Sequence, residues 1–330
     1  MTEDTFTVKL TAKPTNNVVF SVTSNDTSEA TVSPASLTFT ALNWDTAQTV
    51  TLTGVQDVID DDNQTSTITV SINQSSTLDG NYVSVVSQNV NFTTIDDESA
   101  PLVTLAASSD SIAENGSGSV TLTATMTVAS SSDTTITLSL SGTATQGTDY
   151  SLANGSIVIS AGQTTGTDTI TIVNDSKAEG SQTIIVDISV SGSTAGESGT
   201  QQVTVTITDD DSAAVTIEDV NVNEGSNAGL ILTLNNEVEG GFTIDVTAYP
   251  INGGGTATGG TSDSGNTDFI EKTESITFSG SAGETKSFSV TTTTNGNENN
   301  NETFEVKMDN LVNTSASVTI TDTATVTIIK

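Results

Sequence analysis

An all-β chain of tandem sandwiches is predicted by three observations. Apolar residues alternate with Thr, Ser and Asn through most of the sequence. Helical spacing is nearly absent, and acidic clusters punctuate the alternating runs. The alternation is visible in Phe6, Val8, Leu10; Val120, Leu122, Ala124, Met126, Val128; Ile136, Leu138, Leu140; Val203, Val205, Ile207; Phe242, Ile244, Val246; and Phe304, Val306, Met308. Period two, with small polar residues between, is the pattern of strands that bury one face and wet the other.

A longer period overlies the short one. Glu3, Glu114 and Glu224 recur roughly 110 residues apart, and each interval holds about seven strand-like runs, the content of one sandwich. Three units are expected, over 1–98, 99–211 and 212–330. The joints Asp97-Glu98-Ser99-Ala100-Pro101 and Asp210-Asp211-Ser212-Ala213-Ala214 are short and lack the Gly/Ser spacing of a flexible tether, so adjacent units should abut.

Composition narrows the chemistry. The 330 residues carry 41 Asp+Glu against 7 Lys+Arg, for a formal charge of −34, with no His and no Cys. Nucleic acid and anionic membrane surfaces demand clustered Lys/Arg, so the expected partners are cations or cationic surfaces. Without His the usual general base and a common transition-metal ligand are missing, leaving hard oxygen donors that suit calcium or magnesium. No stretch approaches the roughly 18 apolar residues of a membrane-spanning helix, and Met1-Thr2-Glu3-Asp4 does not read as a secretory leader. The chain is expected to be a piece of a longer protein. A Ser nucleophile would have no His partner and clustered acids make better ligands than an isolated acid/base pair, so no enzyme is expected.

The acidic punctuation is the strongest signal. Ile95-Asp96-Asp97-Glu98 and Thr208-Asp209-Asp210-Asp211 each close one alternating run and precede the next. Carboxylates gathered at about 4 Å repel by about 4 kcal/mol per pair in a surface-like dielectric, so a fold that collects them calls for a cation. Both unit boundaries are therefore candidate calcium sites.

The order of motifs makes a resemblance specific. Gly142-Thr143-Ala144-Thr145-Gln146-Gly147-Thr148-Asp149-Tyr150 is followed by Ile157-Val158-Ile159, by Ile172-Val173-Asn174-Asp175 with Glu179, and by Val205 to Asp211. This series resembles the Calx-beta repeat, a calcium-binding seven-stranded sandwich. The third unit repeats it with Asn223-Glu224-Gly225, Gly255-Thr256-Ala257-Thr258, Asp268-Phe269 and Thr323 to Ile328, and the first is a divergent relative. The resemblance implies ligands from the opening Glu, the Asp before the aromatic, a late acidic loop and the final Asp run. In the second unit these are Glu114, Asp149, Asp175, Glu179, Asp209, Asp210 and Asp211, with Asn174 standing where the family often has Asp. The first unit offers Glu3, Asp57, Asp60, Asp61, Asp62, Asp96, Asp97 and Glu98. The third, with Glu224, Asp268, Glu298 and Glu302 in an Asn-rich setting, is expected to make a weak site at best. The resemblance further implies a non-catalytic spacer in a large secreted bacterial surface adhesin of the gliding or biofilm type, stiffened by calcium. A regulatory calcium sensor and a terminal ligand-binding module are the alternatives.

Other features read more plainly. Glu29, Asp79, Glu197, Asp245 and Glu271 are expected to be surface charge, and Trp44 a packing residue near a strand corner. Gly253-Gly254-Gly255 and Gly259-Gly260 read as turn, and Asp110-Ser111, Asp168-Thr169 and Asp211-Ser212 resemble O-glycan acceptors.

Overall fold

The computed structural model describes residues 2–116, 118–251, 256–263, 265–294 and 300–330, and among them every regular element is a strand. The first eight are β1 (Glu3–Val8), β2 (Val18–Ser24), β3 (Ala30–Ser33), β4 (Ser36–Phe39), β5 (Gln48–Gly54), β6 (Ile59–Asp60), β7 (Gln64–Ile72) and β8 (Gln88–Thr94). They form sheets of order β1-β5-β3 and β4-β2-β7-β8. Val50 and Leu52 from the first sheet meet Phe20, Phe39, Ile68 and Phe92 from the second in one buried cluster.

The central strands are β9 (Leu102–Ala107), β10 (Ser111–Ala113), β11 (Ser119–Met126), β12 (Ala129–Ser130), β13 (Thr134–Gly142) and β14 (Tyr150–Leu152). They continue with β15 (Ser156–Ile159), β16 (Thr165–Ile172), β17 (Gln182–Ser191), β18 (Gly196–Glu197) and β19 (Gln202–Thr208). Two sheets result, β10-β19-β17-β13-β15 and β14-β16-β11-β9-β18, enclosing a second core. Strand β17 shows why: Ile184, Val186 and Ile188 are buried while the residues between them face outward, which is the period the sequence carries.

The remaining strands are β20 (Ala213–Ile217), β21 (Val220–Asn223), β22 (Asn227–Leu234), β23 (Phe242–Tyr249), β24 (Gly259–Gly260) and β25 (Phe269–Ile270). After them come β26 (Lys272–Phe278), β27 (Thr285–Thr291), β28 (Glu302–Val312), β29 (Val318–Thr319) and β30 (Thr323–Ile329). Their main sheets are β27-β22-β20-β29 and β21-β30-β28-β23-β26, around a third core. Stacked pairs Phe269–Phe304 and Phe242–Phe278, with ring centroids 4.1 and 5.1 Å apart, anchor it.

One expectation changes. Gly259-Gly260 is a short strand parallel to Phe269-Ile270, and a Cβ on Gly259 would lie 2.4 Å from the Glu271 carboxyl, so glycine permits the close approach. Gly253-Gly254-Gly255 lies outside the described residues. Trp44 packs against the first core, as expected.

The same device links successive regions. The loop after β5 places β6 parallel to β12, and the loop after β16 places Ala178 in a parallel bridge with Val238. Ala178 donates to the Glu237 carbonyl and its own carbonyl accepts from Glu239, at 2.9 and 3.0 Å. At this second joint a Cβ on Gly180 would sit 2.1 Å from Ser315 Oγ, so a larger residue would push the regions apart.

Candidate metal centre

In the first region, one carboxylate oxygen from each of Glu29, Asp57 and Asp61 lies within 4.8 Å of the others, the one trio this close among the described residues. Backbone geometry holds it together. The Glu29 carbonyl accepts from the Val55 amide and the Thr94 hydroxyl, and Asp57 accepts from the Ile59 amide at 2.8 Å. Asp62, Asp96 and Glu98 join them, with Val55, Gln56, Gln64, Thr94 and Ile95, in lining a pocket of about 10 Å³, near the size of a single water or ion. Like charges at this spacing repel by about 3 kcal/mol per pair at a surface-like dielectric. Burial, then the charges of Asp61 and Asp57, raises the Glu29 pKa; burial, then Asp57 and Asp96, raises that of Asp61. Glu98 is pushed up first by its carboxyl contact with Asp96. Burial opposes ionisation of Asp96, but the amides of Glu98, Asp61 and Asp62 override it and hold its pKa down.

The central region repeats the backbone hydrogen bonds of this arrangement, though among the described residues its carboxylate oxygens do not form a second trio within 4.8 Å. Val173 donates to the Asp149 carbonyl as Val55 does to that of Glu29, and Lys177 donates to Asp175 as Ile59 does to Asp57. The Asp211 amide caps Asp209 at 2.9 Å as that of Glu98 caps Asp96 at 3.1 Å. Asp149, Asp175, Glu179, Asp209 and Asp211 thus correspond to Glu29, Asp57, Asp61, Asp96 and Glu98. A further acid joins them: buried Glu114, whose carboxylate accepts from the Asp175 amide at 3.0 Å. Burial dominates the raised pKa of Glu114, with the charges of Asp175, Asp209 and Glu179 adding to it. Burial likewise raises Glu179, against the pull of Lys177, and Asp211, where Asp210 and Asp209 contribute. The Lys177 ammonium lies 2.9 Å from Glu179 and 3.3 Å from Glu239, so one protein cation reaches across the second joint.

Among its described residues, the third region departs where Lys330 stands. Glu224 donates its amide to the Ile329 carbonyl as Glu114 does to that of Thr208, which puts Lys330 where Asp209 stands. The Thr293 amide bonds the Asp268 carbonyl as Val173 bonds that of Asp149. The Lys330 ammonium lies 2.8 Å from Glu224, 3.2 Å from Glu302 and 3.9 Å from Asp268. Burial alone would lower the Lys330 pKa, but hydrogen bonds to Glu224 and Glu302 outweigh it and raise the value. Glu298 lies outside the described residues.

Several residues sit otherwise than their sequence neighbours suggest. Glu3 is exposed within β1 opposite Thr53, not at a place equivalent to Glu114 and Glu224, which each precede their counterpart of that strand. Asp60 is buried at the first joint and accepts from the Thr194 hydroxyl of the central region, because the two residues of β6 face opposite ways. Asp97 is exposed and pairs with Gln56, and Asp210 is exposed beyond the cluster. Glu29 is no plain surface charge. Its signal is positional, since it precedes apolar Ala30 as Asp149 precedes Tyr150 and Asp268 precedes Phe269. Asp79 is buried as well, its carboxylate accepting from Thr15, Asn16 and Asn81; the Thr15 and Asn81 amides hold its pKa at about 2.

Ends lined by carboxylates suit a hard divalent ion. A Calx-beta domain model matches residues 96–211 and 254–330, together more than half of the chain. The chain belongs to the Calx-beta family, a family of non-enzymatic calcium-binding modules. No curated protein matches it in sequence. Among solved structures, CBD12 from CALX1.2 is 16% identical, with 61% of this chain and 77% of that one covered and a TM-score of 0.27. The calcium binding domain CBD12 of CALX1.1 is 14% identical, covering 66% and 95% at a TM-score of 0.29. Adhesin InvE of Yersinia pseudotuberculosis is 14% identical, covering 68% and 58% at 0.27.

Proposed function

We propose that the chain is a non-catalytic structural spacer of three Calx-beta sandwiches in series, over 1–98, 99–211 and 212–330, whose calcium ions stiffen the joints between them. The observation that carries this reading is the recurrence at both joints of the same backbone hydrogen bonds around acidic residues, each beside a loop that hooks onto the next region. Glu29, Asp57, Asp61, Asp96 and Glu98 would hold the ion at the first joint, and Glu114, Asp149, Asp175, Glu179, Asp209 and Asp211 at the second. A bound cation neutralises and bridges these groups. The chain's own residues orient the carboxylates by backbone hydrogen bonds and dock the loop, so a ligand that favours the folded end also restricts the hinge.

The high acidity and the Thr/Ser/Asn-rich composition support an extracellular setting as part of a large bacterial surface adhesin. Among the described residues no helix is long and apolar enough to cross a membrane. Small-angle scattering in about 1 mM calcium and then in chelator tests the reading. A longer, stiffer particle in calcium is expected. An unchanged profile removes the joint-stiffening claim, and a shape change complete at micromolar calcium favours a regulatory sensor instead.

A further inference from the structure

The two joints are fastened by different chemistry. Each uses a loop that leaves the acidic end of one region and lies against the next, 55–62 at the first joint and 173–180 at the second. Asp57 and Asp61 correspond to Asp175 and Glu179, and the equal spacing puts Asp60 where Ala178 stands. Both are buried against the next region, so the joints differ at their point of contact.

At the second joint that contact is apolar. Ala178 is fully buried and belongs to the third region's core together with Val238. The Asn236 side-chain amide donates to the Ser176 carbonyl of the loop at 2.6 Å and to the Ser212 carbonyl at 3.3 Å. Gln182 of the central region donates to the Glu239 carboxylate at 3.2 Å, and Lys177 pairs with both Glu179 and Glu239. Ion pairs this exposed add little strength, but this one lets the protein itself compensate Glu179 and Glu239. Burial of Ala178 is equally independent of any metal.

At the first joint the contact is polar and the loop is charged. Ile59 is half-buried, Val58 before it is 75% exposed, and among the described residues no side chain of the loop belongs to the central region's apolar core. Within the two-residue pairing of β6 and β12, the Ser131 amide donates to the Asp60 carbonyl at 3.2 Å and the Thr194 hydroxyl to the Asp60 carboxylate. Asp57 and Asp61 flank this contact and crowd Glu29, and among the described residues no lysine pairs with any of the three. Without a cation their repulsion opposes the bend that presents Asp60 to its partners. Neighbouring domains move relative to one another unless an apolar interface locks them.

We propose that the metal-free chain has one hinge: the first joint swings, while the central and third regions stay docked as one body. Calcium then acts chiefly at the first joint, a consequence that rests on the spacer reading above, whereas the fastening of the second joint does not.

The chain has no Cys, so spin labels can be placed in pairs on the full chain at exposed positions, Ser36→Cys with Thr137→Cys across the first joint and Thr137→Cys with Ser287→Cys across the second. In chelator the distance distribution across the second joint is expected to be about twofold narrower than that across the first. Ala178→Asp, which gives the second joint the residue of the first, should widen the second distribution to match. Equal widths at the two joints in chelator, or a second distribution left narrow in folded Ala178→Asp protein, would overturn the proposal. Adding calcium tests the spacer reading separately. It should narrow the first distribution; if it narrows neither, calcium stiffening fails and the single hinge stands on the chelator result.

Discussion

Among the described residues, the acidic ends of the central and third regions share two backbone hydrogen bonds and differ where Asp209 stands in one and Lys330 in the other. In the central region Glu114 accepts from the Asp175 amide and Asp209 from the Glu179 amide, while Lys177 pairs with Glu179 and Glu239. In the third, the Lys330 ammonium sits among Glu224, Asp268 and Glu302. In the third region a lysine side chain supplies positive charge at this end. Burying several carboxylates is tolerable only with such compensation.

The strongest way to break the comparison is Lys330→Asp. In chelator it should destabilise the third region by about 3 kcal/mol or more, since it removes the paired cation and leaves buried acids uncompensated. Calcium should restore most of that loss, read as a calcium-dependent melting transition that the wild-type third region lacks. If calcium leaves the variant unchanged, the two ends are not equivalent.

A smaller effect is expected for Glu29→Gln. It should weaken calcium binding at the first joint about tenfold, because ligand charge sets affinity in such sites. Isothermal titration of the variant checks this, and wild-type affinity at every site would remove Glu29 from the centre. Asp57→Asn should act in the same direction.

The smallest effect is on pH dependence. Glu29, Asp61, Glu114, Glu179 and Asp211 all have folded pKa values raised from their ordinary values, chiefly by burial. Between the unfolded and folded values the folded state binds more protons, so their contribution favours folding at lower pH and is lost as pH climbs through the folded values. The melting temperature of the chelated protein should therefore rise on going from about pH 7 to about pH 5, before the hydrogen-bonded Asp79 protonates near its much lower value. In calcium the trend should reverse, because protons compete with the ion. Parallel melting curves in the two buffers would contradict the cluster's electrostatics.

Much of this was legible in the amino-acid order. Alternation in Val120-Thr121-Leu122-Thr123-Ala124 fixes which face of β11 is buried, and the Asp runs mark where the first and central regions end. What sequence reasoning missed depends on direction and register. Asp60, Asp61 and Asp62 look alike as a run, yet the strand pleat sends Asp60 to the joint and Asp61 to the trio. Glu29 stands alone in sequence, and only the amide of Val55 on its carbonyl shows that it shares the place of Asp149. Lys330 reads as a stray cation until Glu224 fixes the register of β30 beside it.

The central claim is that cations occupy the first and central acidic ends while Lys330 fills the third. Crystals grown in millimolar calcium, with anomalous scattering used to locate the ion, test it directly. Calcium beside Glu29, Asp57 and Asp61 and beside Glu114, Asp175 and Asp209, with the Lys330 ammonium keeping its contacts to Glu224 and Glu302, is the predicted result. Water alone at both joints, or calcium displacing the ammonium, would contradict it.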